Sequence, residues 1–442
     1  MARLLIISYS YAPAVTPRAL RWHVVAKELR ARGHHVDVLT AGPNTTTTEL
    51  DGITVYTVPE RGFSALVRRF FHRTARPVTT TDVATAAPAS TQGSAGLFKL
   101  AFRLVRAIHQ RTWQKLYWPD STHAWIRPAT QKALSLAAAQ QYDRLISVSL
   151  PFSAHVVAAQ VKKSHPRLFW LMDMGDPFSL ERAMPLNHHH LWQAKNFATE
   201  QSYLQQADAI SVTTDLTKAA YSDAFGAFVG DKIRVIPPLY TARQQPRPTP
   251  FTTGSKLRLV YTGSLHKAIR RPKQLLALFA KLLDTQLSKR LELHIVGPEN
   301  DASGDFLPYQ QLEQSGKLYR HGPVPHQQAQ AFQQHADVLI NIGNSTPYQL
   351  PSKVVDYLAS GKPILNLAQT PDDSTAAFFA DYPRALTLLP PLDIAQVDTV
   401  VRFLLQPLPE LDEARQTQRL HSHTPAAIGD AYNNLLQLSN AL

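Results

Sequence analysis

Cysteine is absent from the 442 residues, which excludes disulfide cross-links, thiolate nucleophiles and cysteine-ligated zinc. A chain that needs no disulfides is compatible with the cytosol. Also missing is any run of about 18 apolar residues, the length a helix needs to cross a bilayer. The opening residues, MARLLIISYSYAP, hold a short apolar stretch with no small-residue cleavage site, and so read as a buried strand and not as a secretory signal. Neither a G-x-G-x-x-G sequence nor a Walker A sequence occurs, so dinucleotide oxidoreductases and P-loop enzymes lose support. Acids are scarce: Asp plus Glu number 33 against 46 Lys plus Arg, a net charge of +13.

What is present is enough apolar material, 44%, for packed cores, on a chain long enough for two or three domains. Arg3 to Ser8 (RLLIIS) is a continuous apolar run, as in a parallel strand covered on both faces. A loop to Pro17 precedes a helical pattern, Leu20, Val24, Val25 and Leu29, which Gly33 can close; HVDVLT (35–40) is the next strand. This strand–loop–helix–strand unit predicts a doubly wound α/β sheet. RLISVS (144–149), LFWLM (168–172) and AISVT (209–213) continue it. Five prolines between Ile236 and Pro250 predict an interdomain linker. Beyond it LRLVY (257–261), LELHIV (291–296), VLIN (338–341) and PILNL (363–367) alternate with helical stretches at 272–283, 325–335 and 352–360. The expected domains are therefore 1–238 and 251–425, with a C-terminal helix at 426–442 packing back on the first. Their carboxyl strand ends are expected to face one cleft.

The charge is local. From Arg61 to Pro119 there are ten basic residues and one acid, Asp82. Phe63, Leu66, Val67, Phe70 and Phe71 share one helical face, as do Leu97, Leu100, Ala101, Leu104, Val105 and Ile108, with Lys99, Arg103 and Arg106 opposite. Thr79 to Gly96 between them is low in bulky apolar residues. Basic amphipathic helices suit an anionic membrane surface; the competing reading packs both stripes on the core. No nucleic-acid module is recognisable in this segment, so nucleic acid is not an expected partner.

Two segments can carry anion chemistry. In Tyr261-Thr-Gly-Ser-Leu-His-Lys-Ala-Ile-Arg-Arg-Pro-Lys273, Gly263 permits a tight turn beside Ser264, and Lys267, Arg270 and Arg271 supply cations before a helix. In Pro347-Tyr-Gln-Leu-Pro-Ser-Lys-Val-Val-Asp356, Pro351 and Ser352 lead into a helix whose first turn holds Lys353, a combination suited to a diphosphate. Asp356 lies three residues on, able to accept from two ribose hydroxyls or to form an i,i+3 ion pair with Lys353. His188-His189-His190 lacks an obvious carboxylate partner, and no metal is assigned there.

At these residues the second domain resembles the donor domain of retaining GT-B glycosyltransferases, the large group of bacterial polysaccharide and lipid-linked-sugar transferases. The run Pro351-Ser-Lys-Val-Val-Asp-Tyr-Leu-Ala-Ser-Gly-Lys-Pro363 is similar to their donor helix. In the first domain Arg18, Gly33-His34, Trp118-Pro119-Asp120…Trp125, Ser149-Leu-Pro-Phe-Ser-Ala-His155 and Asp173-Met-Gly-Asp-Pro-Phe178 resemble a subgroup of that family. The resemblance implies a UDP- or GDP-sugar donor and no cofactor or metal. It further implies a lipid-linked or glycan acceptor at the cytoplasmic membrane face. Lys267, Arg271 and Lys353 would neutralise the departing diphosphate. His155 would touch donor sugar or acceptor, or be structural, and Arg18, Asp173 and Asp176 would line the acceptor side, the two aspartates alternatively capping a turn. Many members carry two glutamates eight positions apart. Here Tyr348 and Asp356 stand at those positions, so the ribose role carries over and the sugar-contacting carboxylate does not. That departure keeps a second reading, a catalytically weak partner subunit that binds another glycosyltransferase or its acceptor.

Overall fold

The computed structural model describes residues 1–62, 113–240, 246–252, 254, 256–391 and 393–438. The two amphipathic stretches between Phe63 and Thr112, and with them the expected membrane surface, lie outside the described residues.

The first sheet takes β1 (Arg3–Ser8), β2 (His35–Ala41), β3 (Thr46–Leu50), β4 (Ile53–Val58), β5 (Arg144–Val148), β6 (Phe169–Asp173), β7 (Ala209–Val212) and β8 (Ile233–Val235). Its order is β3-β4-β2-β1-β5-β6-β7-β8. Strand β1 pairs in parallel with β2 (Leu4 opposite Val36) and with β5 (Leu4 opposite Arg144). Leu4 to Ile7 are fully buried, which is why these strands read as unbroken apolar runs rather than as alternating ones. The intervening helix Pro17–Ala31 starts where Thr16 accepts from the Ala19 amide and Pro17 presets the first turn. Gly33, at φ +87°, ends it.

One element was not expected from sequence. β3 and β4 form an antiparallel hairpin at the sheet edge, turned by Asp51 and Gly52, both at positive φ. Asp-Gly is the dipeptide such a turn favours. The TTTEL strand it joins is almost wholly exposed and carries no apolar alternation to betray it.

The second sheet, all parallel, takes β9 (Leu257–Thr262), β10 (Leu291–Val296), β11 (Leu318–Gly322), β12 (Val338–Ile342), β13 (Ile364–Leu367) and β14 (Ala385–Leu388) in the order β11-β10-β9-β12-β13-β14. Helix Lys273–Leu283 buries Leu275, Leu276, Leu278, Phe279 and Leu282 in one core with β9, β10 and β12. A second core on the other face gathers Val354, Val355, Tyr357 and Leu358 with Val260, Leu339 and Phe332.

Contacts divide the chain between Ile210 and Ser211, ahead of the proline-rich stretch, and the helix Pro425–Gln437 belongs to the second unit. His423 before that helix bonds Pro238 O through Nδ1 at 2.7 Å, and its carbonyl accepts the Tyr240 amide at 2.7 Å. Among the described residues no helix is long and apolar enough to cross a membrane.

Candidate functional site

In the second sheet the chain departs from β9 in opposite directions, to β10 on one side and to β12 on the other. The crevice at the carboxyl ends of β9 and β12 is thus the topological switch point, where open α/β sheets bind ligands. Gly263 follows β9 at φ +131°, and its amide bonds Val296 O at 2.9 Å. Gly297 follows β10 at φ +134°, bonding Gly322 O at 2.8 Å; a Cβ on Gly297 would lie 2.3 Å from the carbonyl oxygen of Gly263. The two glycine turns therefore pack backbone against backbone at this end of the sheet, next to Lys353.

Lys353 is the first residue of the helix Lys353–Ala359, which follows β12 after a loop. Its Nζ donates to Thr262 O at 3.1 Å and lies 4.1 Å from the centroid of the Tyr261 ring. The Thr262 hydroxyl meets the Tyr357 phenol at 2.9 Å and accepts from Gln333 at 2.7 Å, so β9 and two helices fix the ammonium. Burial, and after it the neighbouring Arg270 cation, pushes the Lys353 pKa well below its ordinary value. An ammonium has three donors, and an anion placed beside it would both accept from it and relieve the repulsion with Arg270. The backbone contributes less. The Val354 and Val355 amides bond back to Pro351 O and Ser352 O at 3.1 and 3.2 Å, so the side-chain cations carry the positive potential.

Of the two adjacent arginines, Arg270 is the one beside Lys353 and Tyr261, its Nε buried without a hydrogen-bond partner among the described residues. Arg271 turns away into a bidentate pair with Asp305, at 2.7 and 2.8 Å. Lys267 is exposed, and its amide bonds Asp301 at 3.1 Å. Ser264 offers its carbonyl to the Tyr261 phenol at 3.0 Å.

Asp356 does not pair with Lys353. Burial alone raises its carboxyl pKa to about 7, and no hydrogen bond or counter-ion among the described residues opposes that. A half-buried carboxyl left without a partner is poised for hydroxyl donors such as a diol. Tyr348 lies on the loop before Lys353, and its carbonyl accepts from both the Thr214 and Thr217 hydroxyls at 2.8 Å. The same loop is held by Ser345, whose hydroxyl bonds Ala268 O at 2.7 Å, and by Gln349 O, which accepts from Ser374 at 2.6 Å.

The first unit has its own switch point between β1 and β5. Here Arg18 bonds Ser149 O at 2.5 Å and pairs with Asp173 at 2.9 Å, while Trp22 donates to the same Asp173 oxygen at 2.8 Å. The Arg18 guanidinium packs over Gly175, where an added Cβ would lie 2.5 Å from it and require the arginine to shift. Asp173 is therefore a buried strand-end anchor, and Asp176 is half-buried in the loop that follows. His155 is fully buried; its Nδ1 meets the Ser147 hydroxyl at 2.7 Å, and burial lowers its pKa to about 3. This is a neutral, fully buried histidine whose Nε2 has no hydrogen-bond partner among the described residues.

The motifs behind the resemblance meet in one knot that sequence reasoning missed. Asp120 accepts from the Thr122 amide (2.8 Å) and hydroxyl (2.6 Å) and from the Ser153 amide and hydroxyl (both 2.8 Å). Phe178 stacks on Phe152 at 3.9 Å between ring centroids. These residues build the scaffold under the β5 and β6 loops.

Two mainly parallel α/β sheets with switch-point sites define the GT-B glycosyltransferase architecture, and solved structures of that class match the chain over 99% of its length. No family model matches the sequence, and no curated protein matches it. Among solved structures the chain is similar to the α,α-trehalose-phosphate synthase (UDP-forming) from Burkholderia vietnamiensis, with TM-score 0.61 and 13% identity over 99% of this chain and 100% of that one. It is also similar to WaaG, a glycosyltransferase involved in lipopolysaccharide biosynthesis, with TM-score 0.57 and 13% identity over 99% and 100%. A third match is Anabaena HepE in complex with UDP and glucose, with TM-score 0.55 and 11% identity over 99% of both chains. At such identities the likeness is one of fold.

Proposed function

We propose that the protein is a retaining glycosyltransferase that moves a sugar from a nucleotide-diphosphate donor, UDP- or GDP-linked, to a lipid-linked or glycan acceptor in cell-surface polysaccharide or glycolipid synthesis. The observation that carries this reading is the Lys353–Arg270 cation pair at the β9/β12 switch point, with the unpartnered Asp356 one helical turn away. Two cations suit a diphosphate and a carboxyl suits a ribose diol, in a fold whose solved neighbours include transferases. Preorganised cations favour the developing charge of a departing nucleoside diphosphate more than the bound donor, which is what accelerates transfer. Retention follows the sequence resemblance. In that chemistry a donor phosphate oxygen takes the acceptor proton, so no protein base or metal is required. Arg271, engaged with Asp305, is a weaker candidate here than Arg270. The enzyme would act at the cytoplasmic membrane face, held there by the basic segment 61–119.

A thermal-shift panel of UDP- and GDP-sugars tests donor use. A ligand at 100 times its Kd stabilises by about 2.7 kcal/mol, so the true donor should stand out from the panel. One observation favours the alternative, a catalytically weak partner subunit: Tyr348 occupies the position of the sugar-contacting carboxylate, and its loop is pinned by Thr214 and Thr217. A panel in which every nucleotide sugar is silent would favour that subunit.

A further inference from the structure

The loop after β6 leads into the helix His189–Gln206 and lines, within the first unit, an open surface cavity of about 380 Å³ formed by Arg182, Asn187, the three histidines 188–190 and Gln193. None of its lining residues is acidic. We propose that this cavity is a binding site for a phosphate monoester, carried by the acceptor.

Five observations converge on it. The Arg182 guanidinium has no ion-pair partner among the described residues. The carboxylate next in sequence, Glu181, is buried, which raises its pKa, and accepts the Ala183 and Met184 amides at 2.7 and 3.0 Å, with Asp176 close enough to raise that pKa further. The Nδ1 atoms of His188 and His189 are shielded from solvent yet bonded to nothing described, and buried polar atoms of that kind ordinarily have a partner. The cavity is also built rather than loose. Asn187 and Asn196 exchange reciprocal amide hydrogen bonds at 2.9 Å, and Asn187 further donates to Pro119 O at 2.8 Å. Trp118 donates to Asn196 at 3.0 Å. Burial, then Arg182 and His190, holds His189 below its ordinary pKa, the response of an imidazole among cations without a counter-ion.

The chemistry of the lining selects the ligand. Among the described residues no group of three or more histidines and carboxylates stands close enough to hold a metal ion. A guanidinium fork with imidazole N–H donors suits the three oxygens of a phosphate monoester. The volume exceeds that of a phosphate ion and leaves room for the carbon skeleton it esterifies. The assignment to the acceptor rests on the transferase reading; the anion site does not.

The test is calorimetric titration of the full chain with glycerol 3-phosphate, inorganic phosphate and glycerol. Glycerol 3-phosphate should bind more tightly than phosphate, and glycerol should give no heat. Arg182→Ala should weaken both anions by about tenfold or more, the loss expected of one charge-assisted contact, and exposed His190→Gln should weaken them less. Binding of UDP or GDP should be unchanged in both variants. Absence of binding by either anion, or binding unaffected by both substitutions, overturns the site. Equal affinity for ester and free phosphate overturns its assignment to an acceptor while leaving an anion site. Because UDP and GDP binding is read separately, loss of the donor reading and loss of this site give different results.

Discussion

The carbonyl oxygen of Gly263 occupies the space where Gly297 would carry its Cβ, 2.3 Å away. Both residues stand at positive φ directly after neighbouring parallel strands, so two independent reasons demand glycine at position 297.

Gly297→Ala should therefore cost stability, about 1–3 kcal/mol from overpacking and backbone strain together, and weaken donor binding by pushing the Gly263 turn aside. Gly304→Ala, where an added Cβ meets nothing within 4 Å, is the matched control and should leave both nearly unchanged. Denaturant unfolding of the two variants side by side decides the point.

Asp356 carries a pH signature. Its folded carboxyl pKa, raised to about 7, lies above the unfolded value of 3.8. Between those pH values the folded state holds the proton more tightly, so the contribution of this group to stability is greatest at low pH and is lost as pH rises towards 7. Asp356→Asn should flatten that part of the wild-type stability curve while weakening nucleotide affinity, since a ribose contact is made equally before and during transfer. Identical pH dependence of wild type and variant would remove the raised pKa from the account.

The strands of the two sheets were legible because each is buried on both faces, and RLLIIS and LELHIV are observed over the residues expected. The edges were not. LYRHG of β11 is only partly buried, and ALTL of β14 is too short for a period to emerge. In the donor region the helix bearing Lys353 and the turn at Gly263 could be read from residue type. Two things could not be read that way. The choice between Arg270 and Arg271 depends on where a turn points its side chains, and the need for Gly297 depends on a neighbouring strand 34 residues away in sequence. For His155 a site role and a core role stayed open in the sequence for a related reason. A polar residue after a strand end looks available, and only the packing of Phe152 and the Ser147–Trp170 pair around it makes it core.

Membrane attachment is tested by liposome co-sedimentation with anionic and neutral lipids at low and high salt. Each cation near an anionic surface contributes about 1 kcal/mol. Replacing Arg68, Arg69, Arg103 and Arg106 by Gln should lower binding to anionic vesicles without altering donor hydrolysis. Wild-type protein that ignores anionic vesicles at low salt would end the membrane reading.

The central claim is that Lys353 stabilises a departing nucleoside diphosphate, and the most direct measurement is release of UDP or GDP from the nucleotide sugar by purified wild type and Lys353→Ala. The variant loses the Thr262 bond and the Tyr261 contact, so its thermal unfolding is measured alongside and rates are compared on folded protein. Its rate of release should fall by the equivalent of about 2–4 kcal/mol, the usual loss for one preorganised transition-state contact. A stably folded Lys353→Ala that releases nucleoside diphosphate at the wild-type rate would contradict the account.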